Sequence, residues 1–224
     1  MGDAGQVGQL EVWGVGTTRT LRVHWMLHEL GLSYETRRIE SRTGETTTDD
    51  YLALNPKHKI PTLVHDGFAV SESFAIMRYL RRLSDTLPVD AYQRTAQGQA
   101  VFDEWASFLL MELDATSLYV VRRHGGLPEI YGEAPAAVTS SITYFEDMFA
   151  AAAPRIPDEG FAWGSTFSEI DILLAIATDW GDMVKAEVPE AAARHRDRMH
   201  ARPAYQSARG HNFRDLQLKG TAPR

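Results

Sequence analysis

Asn55-Pro56-Lys57-His58-Lys59-Ile60-Pro61-Thr62-Leu63, running on through Asp66-Gly67 to Ser71-Glu72-Ser73-Phe74-Ala75-Ile76, decides how this chain folds. The stretch reads as loop, strand, tight turn, strand and helix. Ile60 to His65 is apolar and β-branched enough for a strand, and Asp66-Gly67 is a two-residue hairpin signal. Phe68 to Val70 is the return strand. Ser71 is placed to accept a backbone N–H as N-cap, and Glu72 complements the positive end of the helix that follows. Phe74, Ile76, Met77, Leu80 and Leu83 then recur at helical spacing.

Two details exceed what a hairpin needs. Pro61 opens a strand that otherwise looks central, although a proline has no N–H for the ladder and belongs at an edge, a first residue or a special turn. A cis Ile60-Pro61 bond would turn the Ile60 N–H and C=O toward a ligand in strand-like fashion. Glu72-Ser73 is expected in the first helical turn, where free N–H groups, a hydroxyl and a carboxylate make a receptor for a zwitterion. The N–H groups and the Ser73 hydroxyl would take a carboxylate, and Glu72 an ammonium.

The linked pattern, Asn-Pro-x-His-x-Ile-Pro-Thr-Leu and then Glu-Ser-x-Ala-Ile, resembles the glutathione transferase superfamily, in particular its cytosolic Ser/Thr-type members. The insect-like and some bacterial branches carry the His that stands here as His58. The resemblance covers nearly the whole chain, from Leu10 to about Gly210. It implies an α/β thioredoxin-like N-terminal domain over residues 10–83 that binds glutathione as co-substrate, with no metal. An all-α C-terminal domain over 90–220 would carry an electrophile pocket. It also implies a cytoplasmic detoxifying enzyme that forms a homodimer through its third helix and the partner's helical domain, with Met77, Arg81 and Phe102 as candidate contacts.

Composition agrees with that class. The 224 residues suit one large or two small domains, and 44% hydrophobic content allows a proper core. A net charge of −7 and a pI near 5.6 argue against a nucleic-acid or anionic-membrane surface. Met1 to Gln9 is Gly-rich and polar with no apolar signal core, and no apolar run reaches transmembrane length, so a cytoplasmic location is expected. The chain contains no cysteine, so a sulfur that reacts must come from the substrate.

Along the chain, Leu10 to Trp13 reads as the first strand, Gly14 to Thr20 as a hydroxyl-rich loop, and Leu21 to Leu30 as a helix stopped by Gly31. Tyr34 to Ile39 is a second strand, parallel to the first by a right-handed crossover. Asp49 to Leu54 is a short helix. Ser84 to Val89 is a linker, and the remainder is helical: Asp90 to about His124, Ala134 to Ala153, Ser168 to about Val184, and two short terminal helices from Pro189 and Arg202. Ser168 and Asp171 form a capping-box variant with Phe167 as its staple, a folding device with no chemistry.

Conjugation requires glutathione as thiolate. A free thiol titrates near pH 8.5, about two units too high, and a hydroxyl with a helix N-terminus supplies an effect of that order. Thr17 fits one family pattern for the activating hydroxyl and Thr18 another, with Arg19 following; spacing leaves both open. His58 resembles a ligand of the glycyl carboxylate and Lys59 is the alternative donor, while Ile60, Pro61, Glu72 and Ser73 complete the glutathione set. Trp105, Phe108, Met111 and Tyr119 are candidates for the pocket of a small hydrophobic electrophile. His24 and His28 lie one helical turn apart, but with no further ligand in sight they read as a partly exposed helix face rather than a metal site. The leading function is a glutathione-dependent transferase. The alternatives keep the glutathione site and change the reaction to isomerisation, lyase chemistry or disulfide reduction, or make the protein a non-catalytic ligand carrier.

Overall fold

The computed structural model describes residues 7–89 and 91–218. The polar start from Met1 to Gln6, Asp90 at the head of the expected helical domain and residues 219–220 at its expected end lie outside the described residues. The chain divides into two compact units, one of residues up to Leu87 together with those from Arg202 onward, the other Pro88–Ala201.

In the first unit β1 (Leu10–Trp13), α1 (Thr18–Leu30), β2 (Glu35–Arg37), α2 (Asp49–Leu54), β3 (Thr62–His65), β4 (Phe68–Ser71) and α3 (Ser73–Arg81) follow the thioredoxin-like order. The four-stranded sheet has the order β2-β1-β3-β4. β1 and β2 are parallel, and β3 is antiparallel to both β1 and β4. Leu10, Val12 and Leu63 of the sheet are buried together with Leu21, Trp25, Met26 and Leu27 of α1 and Ile76 and Leu80 of α3. The second strand is shorter than the expected Tyr34 to Ile39. Its neighbours are used otherwise: the Gly14 and Val15 N–H groups donate to the Arg37 and Ile39 carbonyls, and the Tyr34 hydroxyl turns to histidines of α1.

Other boundaries differ from expectation as well. Ser71 is not an N-cap: its backbone pairs with Thr62 as the last residue of β4, and Glu72, at φ 72°, becomes the helix cap. The last helix, α10 (Pro203–Leu218), is neither short nor part of the helical unit, where the expected boundary at 220 put it. It packs on α1. Tyr205 sits edge-on to Trp25 at 4.7 Å between centroids, and Arg202 donates twice to Glu29 at 2.6 and 2.7 Å. Arg38, at the end of β2, donates to Asp215 at 2.8 Å.

The second unit is helical, and among the described residues no strand follows β4. α4 (Ala96–Phe108) continues into a π-helical stretch (Leu109–Leu118), α5 (Tyr119–Val121) and a second π-helical turn (Arg122–Gly126). The Ser117 hydroxyl donates to the Glu112 carbonyl five residues back, at 2.6 Å, which suits the wider spacing of that turn. α6 (Pro128–Tyr131), α7 (Pro135–Ala152), α8 (Glu169–Met183) and α9 (Glu190–His200) complete it. α8 is buried nearly all round, as a central helix must be. Of the expected dimer contacts, Met77 and Phe102 are each 0% exposed within the single chain and have no surface to offer a partner, while Arg81 keeps 9%.

The capping box of α8 is formed and extended. Asp171 accepts from the Ser168 N–H at 2.8 Å, the Ser168 hydroxyl at 3.2 Å, the Ala162 N–H at 2.7 Å and His195 Nε2 of α9 at 2.8 Å. All of this is fully buried: Ser168, Asp171 and His195 are each 0% exposed. Asp171→Ala would strand several buried donors at once. It is expected to cost about 3–5 kcal/mol in urea unfolding of the full chain, against less than about 1 kcal/mol for an exposed acidic residue such as Glu133.

Candidate functional site

The site begins with sheet register. Trp13 pairs with Thr62, and Thr62 with Ser71, so these three residues form one row across β1, β3 and β4. The chain leaves β1 after Trp13, enters β3 before Thr62 and leaves β4 after Ser71. The Gly14–Thr20 loop, the Lys59–Pro61 segment and Glu72-Ser73 therefore all emerge at one end of the sheet. Gly14 marks how tightly two of them meet. Its φ is 120°, and a Cβ there would fall 2.5 Å from Ile60 Cβ and 3.1 Å from Thr20 Cγ2.

The segment before β3 is pinned from below. Tyr51 of α2 donates its hydroxyl to the Lys59 carbonyl at 2.6 Å and contacts the Thr62 hydroxyl at 2.9 Å. Asn55 Nδ2 donates to the same two oxygens, at 2.8 and 3.1 Å. Tyr51, Asn55 and Thr62 are all buried, and burial pushes the Tyr51 hydroxyl above its ordinary pKa. The His58 N–H closes a turn on the Asn55 carbonyl at 2.9 Å, with His58 at φ 44°. Ile60-Pro61 is cis, and β3 starts at Thr62, two residues later than expected. The side chains of Lys57, His58 and Lys59 are exposed above this anchored backbone.

At the neighbouring strand end Ser73 opens α3 and is 6% exposed. Its hydroxyl oxygen accepts from Arg22 Nη1 at 3.4 Å, which leaves its proton available to an acceptor outside. Glu72 sits one residue outside the helix rather than in its first turn, and its carboxylate pairs with Lys57.

On the third segment, Thr17 caps α1. Its hydroxyl oxygen accepts from the Thr20 N–H at 3.1 Å, and the Thr17 N–H donates back to Thr20 Oγ1 at 3.0 Å. Thr18 and Arg19 follow in the first turn, both half-buried. This edge thus brings together a hydroxyl at one helix N-terminus, a serine at another, a turned-out loop with three cationic or imidazole side chains, and one carboxylate.

The family profile described as "Glutathione S-transferase, N-terminal domain" matches residues 18–83. Glutathione S-transferase U7 of Arabidopsis thaliana is 28% identical over 179 residues, covering 78% of this chain and 70% of the relative. Glutathione S-transferase F10 of the same plant is 32% identical over 93 residues, 42% of this chain, and the match spans only 41% of that relative's length. This chain belongs to the glutathione transferase superfamily. The fold agrees: the glutathione transferase URE2P8 of Phanerochaete chrysosporium, solved with oxidized glutathione, superposes with a TM-score of 0.78 at 19% identity over 95% of this chain and 99% of that one.

For this superfamily member the structure brings Thr17, Thr18, Arg19, Ile60, Pro61, Glu72 and Ser73 to one edge, with His58 and Lys59 on the loop beside them. The four pocket candidates lie in the helical unit in different settings. Trp105 is 3% exposed, edge-on to Phe108 and under the Arg155 guanidinium at 4.5 Å, so it is core rather than an open wall. Phe108 and Tyr119 are half-buried, the latter beneath Arg123, and Met111 is 57% exposed. Sequence reasoning missed Arg22, Lys57, Asn55 and Asn212. Asn55 and Lys57 stood within the quoted motif as Asn-Pro-Lys, but nothing local signals a buried arginine on α1 or an asparagine on the last helix.

His24 is not on an exposed face. It is fully buried, with Nδ1 3.0 Å from the Tyr34 hydroxyl and Nε2 3.1 Å from the Gly14 carbonyl. His28 reaches the same hydroxyl at 3.5 Å, and the His211 ring of α10 stacks at a tilt, 5.0 Å from that of His24. His211 also meets the Thr36 hydroxyl at 2.9 Å. Burial lowers all three imidazoles, His24 to about 3 and His211, helped by Arg38, to about 4; burial raises Tyr34 to about 12. Folded pKa values below the ordinary 6.5 mean that the unfolded chain binds more protons in that window. Stability is therefore intact above about pH 6.5 and is expected to fall as pH drops from there toward 4. Urea midpoints measured across pH 7 to 4.5 check this, and His24→Gln is expected to flatten the slope.

Proposed function

We propose that this protein binds glutathione at the sheet edge and adds its thiolate to a hydrophobic electrophile. The observation that carries the reading is the row Trp13–Thr62–Ser71, which sets a hydroxyl-bearing helix start, the Ile60-Pro61 loop and Glu72-Ser73 side by side. The family match and a neighbour solved with oxidized glutathione support glutathione as the ligand.

In this reading the Ser73 hydroxyl and the first N–H groups of α3 take the γ-glutamyl carboxylate, and Glu72 takes the ammonium from Lys57. The Ile60 backbone meets the cysteinyl residue in strand fashion, and His58 with Lys59 holds the glycyl carboxylate. The sulfur then lies near the start of α1. Bringing a thiol from about 8.5 to near 6.5 needs roughly 2.7 kcal/mol of preferential thiolate stabilisation, within reach of one hydroxyl donor and a helix N-terminus. The thiolate forms the new carbon–sulfur bond, and the electrophile releases its leaving group or takes up a proton. A homodimer in the cytoplasm accompanies the proposal, with Met77 and Phe102 removed from the candidate contacts because both are buried within the single chain.

A second reading uses the same site on a glutathionyl disulfide. It is favoured by the neighbour solved with oxidized glutathione; with no cysteine in the 224 residues, the glutathione thiolate would attack the mixed disulfide directly, giving oxidized glutathione and the freed thiol. Retention on glutathione-agarose with elution by free glutathione tests the site. A model electrophile, set against a mixed disulfide of glutathione, separates the two reactions, and binding with neither activity indicates a ligand carrier. Ser73→Ala is expected to weaken glutathione binding by about 1–2 kcal/mol by calorimetry, the range of a hydrogen bond to a charged group. Unchanged affinity in both Ser73→Ala and Glu72→Ala refutes the assignment of the γ-glutamyl end.

A further inference from the structure

His211 and Asn212 are consecutive on α10, and their side chains have different partners. Asn212 is 1% exposed and holds the loop between β1 and α1. Its Nδ2 donates to the Thr17 carbonyl at 3.0 Å, its Oδ1 accepts from the Thr20 hydroxyl at 2.8 Å, and its own carbonyl accepts the Gly16 N–H at 3.0 Å. That loop is one of the three segments that emerge together at the end of the sheet. His211 packs instead on the imidazoles of α1. Its ring lies 5.0 Å from that of His24, 6.3 Å from that of His28 and 5.8 Å from that of Tyr34, centroid to centroid, and its Nε2 meets the Thr36 hydroxyl at 2.9 Å.

The surroundings of this ring resist a proton. α1 contributes His24 and His28, and the β2 segment contributes Tyr34 and Arg38, whose Nη1 and Nη2 donate to the His211 carbonyl at 3.3 and 3.2 Å. α10 itself adds Arg214 and Asp215, and Asp215, the carboxylate that favours a protonated ring, is already engaged by Arg38 at 2.8 Å. Burial, Arg38, His28 and Arg214 together bring His211 to about 4 in the packed state, against about 6.5 for an imidazole in water. A group whose pKa is depressed by packing takes up its proton more readily once unpacked. Docking of α10 is therefore intact above about pH 6.5 and weakens as pH falls from there toward 4.

We infer that His211 is an acid-sensitive latch: its protonation loosens α10 from α1 and, through the adjoining Asn212, releases the Gly16–Thr20 loop at the end of the sheet. The other fastenings of α10 on α1, Tyr205 against Trp25 and Arg202 on Glu29, lie at the opposite end of the helix and involve no imidazole, so opening starts around residues 211–215. The latch stands without the glutathione reading, and only its consequence for a ligand at that edge depends on it.

The test is hydrogen exchange of the full-length protein near pH 7.5 and near pH 5, read at α10 and at residues 14–20 and corrected for the intrinsic pH dependence of exchange. With His211 titrating at about 4 when docked and about 6.5 when free, the opening ratio of α10 is expected to rise about thirtyfold between these conditions. The Gly16 amide, bonded to the Asn212 carbonyl, is expected to lose protection in step, while α3 and the helical unit keep theirs. His211→Phe keeps a ring in the site and cannot be protonated, so its rise is expected to stay below about fivefold. His211→Gln is likewise neutral and can still reach the Thr36 hydroxyl, which preserves the test if the phenyl ring loosens α10 at pH 7.5. Equal protection of α10 at both pH values in the wild type, or a rise as large in His211→Gln as in the wild type, overturns the inference. Loss of protection throughout the chain near pH 5 marks global unfolding and overturns it too. Opening of α10 with residues 14–20 still protected overturns the link to the sheet end. Failure to bind glutathione at pH 7.5 overturns the glutathione reading and leaves the latch to be judged by exchange alone.

Discussion

The row Trp13–Thr62–Ser71 is the constraint on which the rest of the first unit depends. Strand pairing has a period of two, so a slip of one residue in either ladder would turn every side chain to the opposite face and separate the three segments that emerge together. What holds the register is buried polar pairing as much as apolar area. The Tyr51 hydroxyl and the Asn55 amide meet the Thr62 hydroxyl and the Lys59 carbonyl under the last residue before the cis bond. Tyr51, Asn55 and Thr62 are buried, so their polar groups must be satisfied within the fold, and the bonds among them and to the Lys59 carbonyl do so.

The same logic closes the unit on itself. α1 is buried along most of its length, and one of its neighbours comes from the far end of the chain. Aromatic contact between Trp25 and Tyr205, the doubly bonded Glu29–Arg202 pair and the Arg38–Asp215 pair fasten α10 along that helix and the adjoining strand. Between them sit a tyrosine hydroxyl and three imidazoles, and burial disfavours the protonated form of each imidazole. The loop between β1 and α1 is tied to α10 as well, through Asn212 and the Gly16, Thr17 and Thr20 groups it meets.

The helical unit is organised by a different device. Asp171 gathers four donors at the start of α8, one of them from α9, so the local helix signal also ties two helices together. Burying a carboxylate is tolerable because every lone pair facing inward has a partner. Along α4 the helix widens into π-helical turns that carry Met111 outward and leave Leu109 and Leu113 inward, and no local residue choice announces that change.

By itself the sequence determined the elements and their order in the first unit: Leu10–Trp13, the α1 stop at Gly31, Asp49–Leu54 and the Asp66-Gly67 hairpin all stand where periodicity and turn chemistry put them. It determined the Ser168/Asp171 cap as well, because capping is a matter of three or four neighbouring residues. The family motif, spread over two strands and a helix start, named most of the candidate site. Tertiary structure decided the rest. Ser71 had the side chain of a cap, yet sheet pairing claimed its backbone and handed the role to Glu72. His24, Trp105 and Met77 showed the spacing of helix faces, but which face is covered depends on what packs there, and all three are buried. Arg22 behind Ser73 and Asn212 behind Thr17 were invisible for the same reason: each is an ordinary polar residue in its own helix, and its meaning comes from a partner 51 or 195 positions away. Local chemistry is written in neighbours along the chain, and a hydrogen bond across the fold exists only once the backbone has brought its two ends together.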